Sequence, residues 1–225
     1  MTKVREAQEK YFRYLYTEFA GTPKAVSSES LEHKKLRFAQ ISRIFEGNDK
    51  FSIHDIGMGL AAYLDYMNEN FPDLNYEYSG TEILPEYVDN VMSRFPKNRF
   101  YLRDVAEIQP EEKYDYVVMS GVFHQRRETS IRDWKAFSQK LISNAFKMSK
   151  IAVGFNFISP FVDFYQTEVY YCNLMKLIHF INDDLSRFFV INHNYALFEF
   201  TVFVYQESYI KSKYIQSEFQ KYFKI

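Results

Sequence analysis

This 225-residue chain has a single cysteine, Cys172, so it holds neither an internal disulfide framework nor a cysteine-cluster metal site. It has no charge of one sign to spare: 28 Lys and Arg against 29 Asp and Glu leave a net charge of −1. No basic stripe of the kind that neutralises phosphates interrupts that mixture, which argues against nucleic acid as a partner. No apolar run approaches the ~18 residues needed to cross a bilayer. The first residues, MTKVREAQEK, are polar and show no secretory core. A soluble cytoplasmic protein with no membrane partner is expected. Glycine and proline are scarce, at 7 and 6, which leaves little chain for long loops.

What the chain does have is flat side chains. Phe and Tyr number 23 and 19, and aromatic residues make up 19% of the sequence. They suit a large core or the lining of a pocket. The length suits one α/β domain with a modest cap.

Periodicity organises the chain. Residues 2–19 and 28–46 repeat apolar positions at helical spacing, the second run with Ser28 as candidate N-cap and Leu31 as its apolar start. From residue 50 strand and helix patterns alternate. The strands are FSIHDIG, NYEYSGTEI, RFYLRDV, YDYVVMSGV and KIAVGFNFIS. The helices between them include LAAYLDYMNENF, PEYVDNVMSRF with Pro85 in its first turn, and DWKAFSQKLISNAFKM. That alternation implies βαβ units around a parallel sheet. An aromatic-rich helical segment is expected over 164–186. Two strand-like runs follow, with only Asn192-His193-Asn194-Tyr195 between them. So short a connection suits an antiparallel hairpin, because a parallel crossover needs about a dozen residues. The expected fold is a Rossmann-like three-layer α/β sandwich around a mostly parallel seven-stranded sheet that ends in that hairpin. One domain is expected, with an N-terminal helical cap at 1–46, a core at 50–158, a cap at 159–187 and the hairpin at 188–206.

Ligands of open α/β sheets bind beyond the carboxyl ends of the strands. The first strand ends in Asp55-Ile56-Gly57-Met58-Gly59, where glycines let backbone approach a ligand. Read alone, Gly57 to Ala62 satisfies a loose GxGxxA dinucleotide pattern, a weak signal that leaves an NAD(P)-dependent oxidoreductase as a rival. Asp55 speaks against it, since an anion there would face a pyrophosphate; it suits a ligand carrying positive charge. Glu82 ends the next strand, placed to accept from ribose hydroxyls. Asp104 ends the third, placed to accept from an adenine amino group, while the Val105 N–H can donate to a ring nitrogen.

In order and spacing, DIGMG, SGTEILPE, LRDV and YDYVVMSGVFH resemble the class I S-adenosylmethionine-dependent methyltransferases, over roughly residues 50–205. The resemblance implies S-adenosyl-L-methionine as cofactor and S-adenosyl-L-homocysteine as product. It implies that Asp55, Gly57, Gly59 and Ser120 hold the methionine portion, Glu82 with Ile83 the ribose, and Asp104 with Val105 the adenine. Ala61 stands where the family has its third glycine. Arg37 is either the arginine that meets the cofactor's carboxylate or a solvated helix residue. His124, just past the fourth strand, is either a general base or a hydrogen-bonded loop histidine. Phe123, Phe161 and Tyr165 are candidate acceptor contacts, if 159–187 and the N-terminal helices fold over the site. His54 reads as a satisfied strand residue, and no spacing suggests a metal. The implied acceptor is a small molecule, methylated at oxygen: a sugar, a natural-product intermediate or a small acid. A cofactor-binding scaffold without catalysis is the non-enzyme alternative. Monomer and homodimer stay open.

Overall fold

A computed structural model describes residues 2–19, 22, 25 and 30–223. The amphipathic first segment forms α1 (Thr2–Phe19). The second forms α2 (Leu31–Ser42), continued by a 3-10 turn over Arg43–Phe45. Ser30 is its N-cap, accepting from the His33 N–H, so the helix starts later than the pattern suggests. Ser28 lies outside the described residues, and Leu31 is exposed; the buried stripe is Phe38, Ile41, Ile44 and Phe45.

The alternation then proceeds as β1 (Lys50–Ile56), α3 (Ala62–Asn70), β2 (Asn75–Glu82), α4 (Pro85–Arg94), β3 (Arg99–Leu102), β4 (Tyr114–Met119), α5 (Ile131–Met148) and β5 (Ser149–Ile158). β3 stops short of Asp104, because the Asp104 carboxylate takes the Ala106 N–H (2.9 Å) and turns the chain. The segment expected to be helical from 164 is irregular up to Asn173. Only α6 (Leu174–Phe180) and a wide π turn over Ile181–Leu185 are helical. Before them, single bridges pair Gln125 with Val169 and Ile158 with Tyr171, so backbone pairing wins over helix there. β6 (Phe189–Asn192) and β7 (Glu199–Tyr205) form the antiparallel hairpin. Its connection runs over 193–198, longer than expected, and makes Glu199 the first residue of β7. A short α7 (Glu207–Lys213) and a 3-10 turn over Ser217–Tyr222 complete the described chain.

The strands lie in the order β3-β2-β1-β4-β5-β7-β6, parallel from β3 to β5, with β7 inserted antiparallel between β5 and β6. Period-2 alternation sends side chains to two buried faces. Val117, Met119, Phe155, Phe157, Val202 and Val204 meet Trp134, Leu141 and Ile142 of α5 on one face. Tyr116, Val118 and Phe203 meet Ile41, Tyr63, Met67 and Val91 of α2, α3 and α4 on the other. Burial on both sides explains the near-continuous apolar runs of the central strands. Strand order reverses between β1 and β4, which opens a crevice at their carboxyl ends.

Candidate functional site

The crevice begins at the turn after β1. Gly57 has φ +73° and Gly59 φ +55°, the left-handed region that favours glycine. A Cβ on Gly57 would also lie 2.7 Å from Val122 Cγ2, so side-chain room is absent as well. Ala61 shares the left-handed conformation at φ 55° and ψ 34° and is fully buried. It keeps the backbone path of a glycine there, at a cost of about 1 kcal/mol in strain.

The Glu82 carboxylate ties the tips of β1 and β2 together. Oε2 accepts from the Gly59 N–H (3.0 Å) and Oε1 from the Ile83 N–H (2.6 Å). Burial raises its pKa, against those same N–H groups. Asp55 is buried beside it and accepts from the Tyr78 hydroxyl (2.7 Å). Burial pushes Asp55 up to about 7, with Tyr78 opposing and the Glu82 charge adding to the rise. Asp104 is also raised by burial, with the Ala106 N–H and Arg5 opposing. Ser120, just beyond β4, has a buried hydroxyl oxygen with no hydrogen-bond partner among the described residues. A buried hydroxyl of this kind takes its partner from outside the chain, a water or a ligand atom.

Asp55, Gly57, Gly59, Glu82, Ile83, Asp104 and Ser120 line one cavity of about 670 Å³, a size in the range of small-molecule sites. Its roof comes from the N-terminal helices, among them Gln8, Tyr11 and Lys34. Gln8 Nε2 donates to the Gln125 carbonyl (2.8 Å), and the Arg127 guanidinium lies 4.1 Å from the Tyr11 ring centroid, which fixes α1 over the opening. The chemistry of the donor set fits an adenosyl sulfonium amino acid: carboxylates for an ammonium, a diol and an exocyclic amine, beside a glycine turn.

Comparison with known proteins bears on the fold. No protein-family model matches the chain. Over 168 residues, 74% of this chain and 99% of the relative, it is 27% identical to Rv1506c of Mycobacterium tuberculosis (strain ATCC 25618 / H37Rv), which is provisionally named a methyltransferase. Magnesium protoporphyrin IX methyltransferase (ChlM) from Synechocystis PCC 6803, solved with bound SAM, superposes with a TM-score of 0.59 at 13% identity, covering 90% of this chain and 96% of that one. N-methyltransferase NodS from Bradyrhizobium japonicum WM9, in complex with S-adenosyl-L-homocysteine, gives 0.60 at 14% identity, covering 86% and 96%. The fold is that of the class I methyltransferases.

Within this methyltransferase fold, several residues stand differently from their sequence expectation. Arg37 is not a solvated helix arginine. Its Nε donates to Glu199 Oε2 (2.8 Å) and its Nη2 to Glu199 Oε1, a largely buried bidentate pair on the cavity wall. Phe123 does not line the cavity: it is 0% exposed, stacked on Phe157 (4.7 Å between centroids) inside the core. The turn after β4 points its ring away from the crevice. Phe161 and Tyr165 are 70% and 67% exposed and lie outside the cavity lining, because the irregular 159–173 segment carries them onto the outer surface. The same segment does reach the cavity, but through Gln166, Glu168 and Val169. His54 is satisfied within the strand layer, between Ser79 Oγ (2.7 Å) and Thr81 Oγ1 (2.8 Å).

Sequence reasoning missed Lys34, Asn156 and Glu199. Lys34 is three residues before Arg37 and faces the same cavity; burial lowers its pKa, with Arg37 adding. Its spacing from Arg37 on a helix was a usable signal. Asn156 and Glu199 had none, since each is brought to the site by strand pairing.

Proposed function

We propose that this chain transfers a methyl group from S-adenosylmethionine to an oxygen of a small-molecule acceptor. The observation that carries this is the convergence of Asp55, Glu82, Asp104 and the unpartnered Ser120 hydroxyl on one cavity next to a left-handed glycine turn. When bound there, the cofactor supplies a methyl group already activated on a sulfonium, so the protein's task is mainly alignment and exclusion of water.

Glu82 takes the backbone N–H groups of Gly59 and Ile83 and, with its four lone-pair sites, keeps capacity for a ribose hydroxyl. Asp104 accepts from the Ala106 N–H in its own turn and keeps lone-pair capacity for the adenine amino group, and Val105 offers its N–H to the ring. Asp55, Gly57 and Gly59 hold the methionine end, Asp55 as partner of the ammonium, and Ser120 supplies its hydroxyl on the same side. Arg37 has the Nη1 hydrogens left for the cofactor's carboxylate, Nε and one Nη2 hydrogen being held by Glu199. The helical roof and the bounded volume favour a small acceptor over a macromolecule.

Isothermal titration of the purified chain tests the reading. Saturable binding of S-adenosylmethionine and S-adenosylhomocysteine is expected, weakened by Asp104→Ala by about 1–3 kcal/mol. No binding of either compound overturns it. A thermal-shift response to NAD with none to S-adenosylhomocysteine would put the oxidoreductase in its place.

A further inference from the structure

The wall of the cavity beyond β4 holds a buried polar network. Asn156, fully buried in β5, accepts from the Gly121 N–H through Oδ1 (2.8 Å) and donates through Nδ2 to Glu199 Oε2 (2.6 Å). These partners fix the amide's orientation, because a backbone N–H can only donate and a carboxylate only accept. Glu199 is ionised: burial would raise its pKa, but His124 when that ring is charged, the Arg37 guanidinium and the Asn156 amide hold it below the ordinary carboxylate range, and Arg37 and Asn156 do so at neutral pH.

The same Asn156 Nδ2 lies 3.1 Å from His124 Nε2. An amide hydrogen aimed at that nitrogen requires the nitrogen to be bare. The neutral ring therefore carries its hydrogen on Nδ1. Glu199 Oε2 stays 3.9 Å from Nε2, outside hydrogen-bond distance. Nδ1 has no hydrogen-bond partner among the described residues and is not among the sealed polar atoms, while His124 lines the cavity. Burial pushes the His124 pKa down to about 4, with Glu199 opposing and Arg37 adding, so the ring is neutral at pH 7.

We propose that His124 serves this cavity as a hydrogen-bond donor through Nδ1–H, and that Asn156 and Glu199 are the positioning residues that hold it in that tautomer. A general base needs a bare nitrogen facing the acceptor; here the bare nitrogen faces Asn156 and the protonated one is left for the cavity. The ring then orients an acceptor oxygen by donating to it, and removes no proton from it. The donor role toward an acceptor rests on the methyl-transfer reading, whereas the tautomer does not.

Histidine-selective 15N labelling of the full chain, read by two-bond 15N–1H correlation at neutral pH, tests this. The chain has five histidines, and His124→Gln identifies the ring in question. The expected pattern is a bare Nε2 and a protonated Nδ1, unchanged down to about pH 5. Asn156→Leu, which removes the hydrogen aimed at Nε2 and leaves ionised Glu199 as the nearest acceptor, should move the hydrogen to Nε2 or make the ring cationic. Should that variant not fold, the wild-type spectrum still decides. A wild-type ring protonated on Nε2, or one titrating near its ordinary value, overturns the proposal. A bare Nε2 in a chain that binds no S-adenosylmethionine keeps the tautomer and removes the methyl-transfer reading; binding with a protonated Nε2 does the reverse.

Discussion

Asp55 shows how far a single side chain can be moved by its position. At the tip of β1, burial lifts its pKa from 3.8 to about 7, although the Tyr78 hydroxyl donates to it. The folded chain therefore holds this proton more tightly than the unfolded chain does. Stability from the group is full below about pH 4 and is lost as pH rises through about 7, a change on the order of 4 kcal/mol. Glu82 and Asp104 are raised as well and add slope of the same sign. Asp55→Asn keeps an acceptor oxygen for Tyr78 but removes the titration. Denaturant unfolding of the ligand-free protein between pH 4 and 8 should show wild-type stability falling with pH, and a clearly flatter curve for the variant. A ligand ammonium would compensate the same charge, which is why a cost borne in the ligand-free chain is informative about function.

At the level of elements, the site depends on two strand tips being held together as much as on what they present. Glu82 belongs to β2, yet its oxygens take N–H groups from the β1 turn and from its own exit. Glu82→Gln turns one of those acceptors into a donor facing an N–H. The ligand-free variant should lose about 1–3 kcal/mol in denaturant unfolding, in addition to any loss of ribose binding. Were Glu82 only a ligand contact, the unliganded stability would not move. The strands and helices of the core, and the acids at 55, 82 and 104, were legible in the sequence because each rests on local periodicity or on a residue at the end of a run. The cap was not. From residue 164 the aromatic spacing looked helical, but pairing of Val169 with Gln125 and of Tyr171 with Ile158 decided the backbone up to Asn173, and Phe161 and Tyr165 point outward.

Over the whole molecule, the cavity lies between the sheet and a roof of α1 and α2, so a bound ligand bridges the roof and the sheet in addition to the contacts that already join them, such as Gln8 with Gln125 and Arg37 with Glu199. Ligand binding to the folded state alone stabilises it by about 2.7 kcal/mol at a hundredfold excess over Kd. For a chain of this size that corresponds to a rise in Tm of roughly 5–10 °C. Thermal unfolding with and without S-adenosylhomocysteine measures it, and an unshifted midpoint would mean that the roof and core are not joined through this ligand.

The order of elements, the strand tips and their acids, and the glycine turn follow from the sequence by itself, since hydrogen-bonding periodicity and steric freedom act over a few residues. Tertiary structure alone decided the rest of the site. Arg37 and Glu199 are 162 positions apart and meet only because β7 runs antiparallel between β5 and β6. That insertion brings Glu199 to Asn156 and Asn156 to His124, and so determines which nitrogen of one histidine is bare. No spacing along the chain encodes such a contact, because it depends on where distant strands are stacked.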